Sequence, residues 1–159
     1  MLNGIFRKKA AFWDDEIELV LSGRDVRDAE CGIDGGFTFY IYPRGTRDYA
    51  GYVSLRLGES PELYYLGHIG YRVEEQYRGN GYAARACELL KPLMKRLNFE
   101  SVCITANPEN TASRKTCEKI GCILESTVKV PSRYVYICSG AEKKCRYILY
   151  TADKAEDEK

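Results

Sequence analysis

Between Gly81 and Leu97 the apolar residues Ala83, Ala86, Cys87, Leu90, Leu93, Met94 and Leu97 recur at spacings of three and four, with Arg85, Glu88, Lys91, Lys95 and Arg96 on the other faces. That period predicts an amphipathic helix with one buried stripe. Pro92 lacks a backbone donor and frees the carbonyl of Glu88, which predicts a kink there without a break in the stripe. Upstream the pattern is different. The runs GFTFYIY at 36–42 and YAGYVSLRL at 49–57 are aromatic and β-branched, and the turn-forming PRGTRD joins them into an expected β-hairpin. A further strand is expected over roughly 64–73, after a break at Glu59 to Glu62, and a short one at Glu16 to Leu21. Ser22 to Gly35 is polar, contains glycine and has no helical periodicity.

Downstream, SVCIT at 101–105 predicts a short buried strand, followed by a second helix from about Pro108 to Ile120. Asn107 is placed to cap that helix, Pro108 suits its first position, and Gly121 supplies a left-handed stop. CILESTVKV and CRYILYT predict a closing pair of strands around a loop at 131–144, and the small, charged ADKAEDEK is expected to fray. The pattern contains no repeat and no low-complexity stretch. One domain over 1–151 with a flexible acidic tail at 152–159 is the expected organisation, as suits 159 residues with 45% apolar content.

Charge narrows the partners. The 24 basic and 23 acidic residues leave a net charge of +1, so no global field draws this chain to nucleic acid or to an anionic membrane. The only apolar run near the start, Ala10 to Trp13, is too short for a secretory signal, and no stretch reaches the length of a membrane span. Seven cysteines, an odd number without a CxxC pair, argue against a zinc site and for reduced thiols in a cytoplasm. Neither a metal nor a flavin has a motif, and the state of association, monomer or homodimer, is left open.

The chemistry concentrates at Gln76-Tyr77-Arg78-Gly79-Asn80-Gly81-Tyr82-Ala83, where a strand passes into a helix. Several unpaired backbone amides can be aimed at one anion there, and the two glycines leave no side chain to hold a diphosphate away. The stretch GHIGYRVEEQYRGNGYAARA resembles the signature of the GNAT superfamily of acetyltransferases, Q/R-x-x-G-x-G/A, whose defined positions are filled by Gln76, Gly79 and Gly81. NPENTASRKTCEKIGC at 107–122 is similar to the superfamily's next element, an Asn at a helix start and a helix ending in Gly, and it looks closest to the branch that acetylates ribosomal-protein N-termini. A loose G-x-G-x-x-A dinucleotide fingerprint also fits Gly79 to Ala84. It requires an acidic residue at the end of the next strand, whereas Glu100 stands before SVCIT, and the turn follows a hairpin instead of opening a βαβ repeat.

The resemblance, which spans about residues 50 to 125, implies an α+β fold: a central mixed, mostly antiparallel sheet of about six to seven strands, splayed at the cofactor site and flanked by helices. It implies acetyl-CoA as co-substrate and an amine as acceptor, either a protein N-terminus or a small molecule. By the same resemblance the pantetheine arm lies along backbone groups of Tyr71, Arg72 and Val73, and the amides of Arg78, Gly79, Asn80, Gly81, Tyr82 and Ala83 take the pyrophosphate. Asn107, Asn110 and Ser113 flank the arm near the thioester.

Acetyl transfer needs a neutral nucleophile, a donor to the developing oxyanion and help for the departing thiolate. A backbone amide near Ile69 to Tyr71, left unpaired by the splay, is a candidate for the second. In the superfamily a Tyr of the second helix often serves the third, and here Cys117 occupies that position. A thiol is a weak donor, so either Ser113 one turn earlier supplies the hydrogen bond or Tyr134 or Tyr136 reaches in from the loop. A module that binds acyl-coenzyme A without turning it over is the alternative that Cys117 raises. Strand alternation turns His68, the only histidine, opposite to Gly67 and Ile69, and the resemblance implies that the odd-numbered set, including Tyr65, looks into the acceptor cleft, which leaves His68 as a structural residue. Glu74 and Glu75 are read as solvated, and Arg114, Lys115 and Lys119 as a helix face from which one cation can reach the ribose phosphate. Most of the 13 tyrosines are read as packing, with two or three able to contact an ammonium group.

Overall fold

A computed structural model describes residues 8–25 and 27–152. The expected tail, apart from Ala152, lies outside the described residues. Among the described residues eight strands form one sheet: β1 (Phe12–Trp13), β2 (Ile17–Asp25), β3 (Gly35–Pro43), β4 (Gly51–Leu57), β5 (Ile69–Val73), β6 (Ser101–Ala106), β7 (Ile123–Lys129) and β8 (Lys143–Tyr150). Their spatial order is β1-β2-β3-β4-β5-β6-β8-β7, and every neighbouring pair is antiparallel except β5 with β6. The mixed, mostly antiparallel sheet is the architecture expected, with the two-residue β1 carrying the count past seven.

The expected hairpin forms with Ile41 opposite Gly51 and Gly35 opposite Leu57. Alternation along β4 buries Val53 and Leu55, leaving Tyr52, Ser54 and Arg56 for the other face. Against the buried face packs α2 (Tyr82–Arg96), whose residues Ala86, Cys87, Leu90 and Met94 are fully buried. Pro92 stands on the exposed side of α2, and the helix continues through it. A third helix, α3 (Thr111–Lys119), lies beside α2 and contributes the buried Cys117.

Two expectations are corrected. Residues 61–66 form a short helix, α1 (Pro61–Leu66), so that only the second half of the expected 64–73 strand is β5. The Ser60 side chain accepts from the Leu63 amide at 3.1 Å and Pro61 takes the first helical position, a start signal that overrides the strand preference of Tyr64 and Tyr65. The helix α3 starts at Thr111, with Asn110 and not Asn107 as its cap; Asn110 Oδ1 accepts from the Ser113 amide at 3.1 Å. Its expected stop stands, since Gly121 has φ +78°.

One tie joins the N-terminal turn to α2. Asp14 Oδ1 accepts from the amides of Glu16 and Ile17, each at 2.8 Å, and Oδ2 accepts from Arg85 at 2.9 Å. Burial acts to raise the Asp14 pKa, but the two amides and Arg85 together hold it below the ordinary value. Its stabilising contribution is therefore present above the ordinary aspartate pKa of about 3.9 and is lost as pH falls through the depressed folded value. Asp14→Ala is expected to cost about 1 kcal/mol near neutrality, and the gap to wild type should close on acidification below about pH 4. Urea titrations at both pH values check this.

Candidate functional site

The sheet is opened between its two parallel strands. Ile69 and Ile104 are the one matched pair of β5 and β6, supported just before it by the His68 amide donating to the Cys103 carbonyl at 2.8 Å. On its other edge β5 is bound to β4, with the Arg56 amide donating to His68 and the Glu74 amide to Ala50. Antiparallel pairing alternates, so the residues between, Tyr71 and Val73, direct their N–H and C=O groups away from β4 into the gap.

A cleft of about 330 Å³ begins at this gap. Its walls are Tyr71, Arg72 and Val73 of β5, then Arg78, Gly79 and Gly81 of the turn, Tyr82 and Ala83 at the start of α2, the α3 cap Asn110, and Ser113 on α3. Tyr77, Ala112 and Thr116 complete it. The α2 N-terminus carries no acidic residue in its first turn. Gly79, at φ +83°, has open space where a Cβ would stand, and it lines the cleft. Gly81, at φ +74°, would place a Cβ 2.7 Å from Lys119 Nζ, so a cation from α3 hangs over the turn. A helix N-terminus and, beside it, the Lys119 ammonium make a setting able to hold an anion; of the amides expected to serve there, that of Arg78 does not, since it donates to the Glu75 carbonyl at 3.2 Å. Arg78 Nε donates to the Val73 carbonyl at 3.0 Å and Asn80 Nδ2 to the Tyr77 carbonyl at 2.9 Å, which fixes the turn. Asn80 and the exposed Gln76 lie outside the lining.

A second cleft, of about 350 Å³, meets the first at Tyr71, Asn110 and Ser113, which line both. Asn107 belongs to this second cleft and not to the first. At the junction the Tyr71 hydroxyl lies 2.8 Å from Ser113 Oγ, joining β5 to α3 across 42 residues of sequence. Burial, reinforced by the neighbouring Cys117, pushes the Tyr71 phenol well above its ordinary range, so it keeps its proton. Cys117 is fully buried beneath this pair and lines neither cleft. Hydrogen bonding from Cys122 draws its thiol below the ordinary cysteine range, against burial and with help from Tyr71.

Other expected participants stand apart. Tyr65 lies on α1, so strand alternation does not apply to it; its ring stacks on Tyr134 at 5.6 Å and meets Tyr64 edge-on at 5.0 Å, outside both clefts. Tyr134 is thereby engaged, and Tyr136 is exposed. His68 Nδ1 accepts from the Cys103 amide at 3.2 Å, and Nε2 lies 3.6 Å from Glu59. Burial lowers the His68 pKa against the opposing effect of Glu59. Sequence reasoning used Tyr71 only for its backbone and missed its hydroxyl, because the pairing with Ser113 exists only once β5 and α3 are packed together. Lys119 was one of three cations on a helix face, and nothing in the sequence singled it out.

A mixed sheet parted at its parallel pair, with a glycine turn and helix start below the opening, defines an acetyltransferase fold. Residues 14–123 match the family model for the acetyltransferase (GNAT) domain, and the chain belongs to that family. Among solved structures, the ribosomal-protein-S5-alanine acetyltransferase of Vibrio fischeri superposes with a TM-score of 0.59 at 26% identity, over 74% of this chain and 63% of that one. A GNAT-family acetyltransferase of Bacillus anthracis gives 0.57 at 23% identity, covering 73% and 67%. The microcin C7 self-immunity acetyltransferase MccE, solved with acetyl-CoA and AMP, gives 0.56 at 19% identity, covering 72% and 61%. The likeness thus spans about three fifths to two thirds of these proteins' lengths. No curated protein matches the chain by sequence. Among the described residues no helix is long and apolar enough to cross a membrane.

Proposed function

We propose that the protein transfers an acetyl group from acetyl-coenzyme A to an amine. The observation that carries this reading is the meeting of two clefts at the Tyr71 and Ser113 hydroxyls, one suited to a diphosphate-bearing chain and the other open to a second reactant. The residues fit the donor: Gly79, Gly81, Tyr82 and Ala83 would hold the pyrophosphate, backbone groups of Tyr71 to Val73 the pantetheine arm, and Asn110 and Ser113 would flank the thioester. Acetyl-coenzyme A supplies the activated acyl group and the leaving thiolate.

The amine enters from the second cleft. The Tyr71 amide, turned toward the gap, donates to the carbonyl oxygen as negative charge grows on it. The Tyr71 phenol and Ser113 Oγ share a hydrogen bond in which either can donate; with the phenol as donor, the serine proton is left to be directed at the departing sulfur. Tyr71 and Ser113 thus take the part that a helix tyrosine at the position of Cys117 often plays. Seven unpaired thiols agree with a reducing, cytoplasmic setting.

Isothermal titration is expected to show acetyl-coenzyme A binding well below millimolar concentration, and no heat at millimolar ligand would sink the proposal. The second reading, a module that holds an acyl-coenzyme A without turnover, is favoured by Cys117 standing where a tyrosine is common; tight binding with no thiol release from any amine or peptide would select it. Lys119→Met is expected to weaken acetyl-coenzyme A binding about 10-fold, or roughly 1.4 kcal/mol, and to flatten its salt dependence. Titrations at low and high ionic strength check both effects.

A further inference from the structure

We propose that His68 is a pH-sensitive positioning residue: as a neutral ring it holds β5 to β6 at the closed end of the gap, and once protonated it lets go and shifts Tyr71. The effect on catalysis rests on the acetyl-transfer reading above, whereas the switch itself does not.

His68 stands immediately before the Ile69–Ile104 pair and a short way before Tyr71, whose amide faces the gap. It meets Cys103 of β6 twice. Its amide donates to the Cys103 carbonyl at 2.8 Å, and its ring nitrogen Nδ1 accepts from the Cys103 amide at 3.2 Å. The ring thus does what a backbone carbonyl does in a regular sheet, satisfying a strand amide at the edge of the seam. An amide only donates, so Nδ1 is without a proton and Nε2 carries it. A proton added at Nδ1 sets one N–H against another, and a doubly protonated ring has no acceptor left to offer. The contact turns repulsive. Just upstream, the Thr105 hydroxyl still donates to the Tyr65 and Leu66 carbonyls, each at 3.0 Å, so the expected result is a loosened seam and not an unfolded one.

The His68 side chain is 12% exposed and packs edge-on against Phe99 at 5.8 Å. Burial disfavours the charged ring and Arg146 from β8 adds to this, while Glu59, at 3.6 Å from Nε2, and the Gly58 carbonyl oppose them. The Glu59 side chain is 87% exposed, where water and salt screen it. The Cys103 thiol, pushed up by burial to about 11, stays neutral. From β4, Arg56 donates its amide to the His68 carbonyl and directs its guanidinium at the Gly67 carbonyl, 3.0 Å away. The balance sets the His68 pKa below its ordinary value of about 6.5. Between the folded and unfolded values the unfolded chain alone takes up the proton, so stability falls as pH drops below about 6.5. The ring lets go at the lower pH where the folded protein titrates.

Because His68 is the only histidine, its ring signals need no assignment in a nitrogen NMR spectrum of the protein. Above neutrality they are expected to show the Nε2–H tautomer, and on acidification a titration below the ordinary histidine value. Hydrogen-exchange protection of the Cys103 amide, corrected for the intrinsic rate, should fall about 10-fold in step with that titration. His68→Asn puts Oδ1 in the place of Nδ1, an acceptor that does not titrate, and should make the protection independent of pH. In thiol release from acetyl-coenzyme A with one fixed amine, kcat of wild type relative to His68→Asn should fall over the same window, with acetyl-coenzyme A affinity retained; the ratio cancels protonation of the amine itself. An Nδ1–H tautomer, Cys103 protection indifferent to the ring's titration, a wild-type pH dependence in His68→Asn, or a flat kcat ratio in an active enzyme overturns the inference even where thiol release is robust. Coupled titration of ring and amide without thiol release from any amine leaves the switch standing and overturns the catalytic reading instead.

Discussion

Gly79→Val is expected to raise the dissociation constant for acetyl-coenzyme A by about 100-fold, or roughly 2.7 kcal/mol, while lowering folding stability by only about 1–2 kcal/mol. The two costs have different origins. The stability loss comes from forcing a β-branched residue to φ +83°, because nothing lies within 4 Å of the new Cβ and no packing is disturbed. The binding loss is expected because Gly79 lines the hollow where the diphosphate would approach the backbone amides, and a branched side chain adds bulk at that wall. Gly81→Val differs in a way that serves as an internal comparison, since its Cβ also displaces Lys119 from its place over the turn. Calorimetry paired with urea unfolding separates the two quantities. Equal losses in both would mean that the turn is a fold element only.

Ser113→Ala is expected to lower kcat by about 100-fold and to change acetyl-coenzyme A affinity by less than about 3-fold. Assistance to a leaving thiolate matters only as the bond breaks, so its removal should appear in kcat and not in ground-state binding. Tyr71→Phe removes the group that orients the serine hydroxyl and should lower kcat about 10-fold, at a stability cost of about 1 kcal/mol for the lost hydrogen bond. Because the two hydroxyls act as one unit, the double variant should be no slower than Ser113→Ala alone. Stopped-flow thiol release gives all three rates, and an unchanged kcat in Ser113→Ala would remove the serine from the mechanism.

The legible parts of the chain were those whose signal is local. The α2 stripe shows its period within a few turns, and the spacing of Gly79 and Gly81 after Gln76 marks the start of that helix without reference to anything distant. The cap of α3 was harder, because NPEN offers two asparagines and the proline after the first imitates a helix start; the chain uses the second. Ser60-Pro61 gave a complete start signal for α1, yet the tyrosines beyond it read as strand, and the cost of that error was Tyr65, assigned to a cleft it does not line. The Tyr71 and Ser113 hydroxyls and Lys119 over Gly81 each join elements far apart in the chain. No periodicity or spacing encodes such a pair; it exists only after the sheet order is known.

The single rung between Ile69 and Ile104 has a mechanical consequence. Peptide hydrogen bonds make most of the sheet stiff in its own plane, but at this seam the parallel strands share few of them, and a wedge of buried side chains from α2 and α3 packs into one core with β5 and β6. Cys87 and Cys117 are part of that wedge, buried small residues on neighbouring helices. A change in the bulk of these two thiols is therefore expected to be felt at the seam without a single altered atom at its rim.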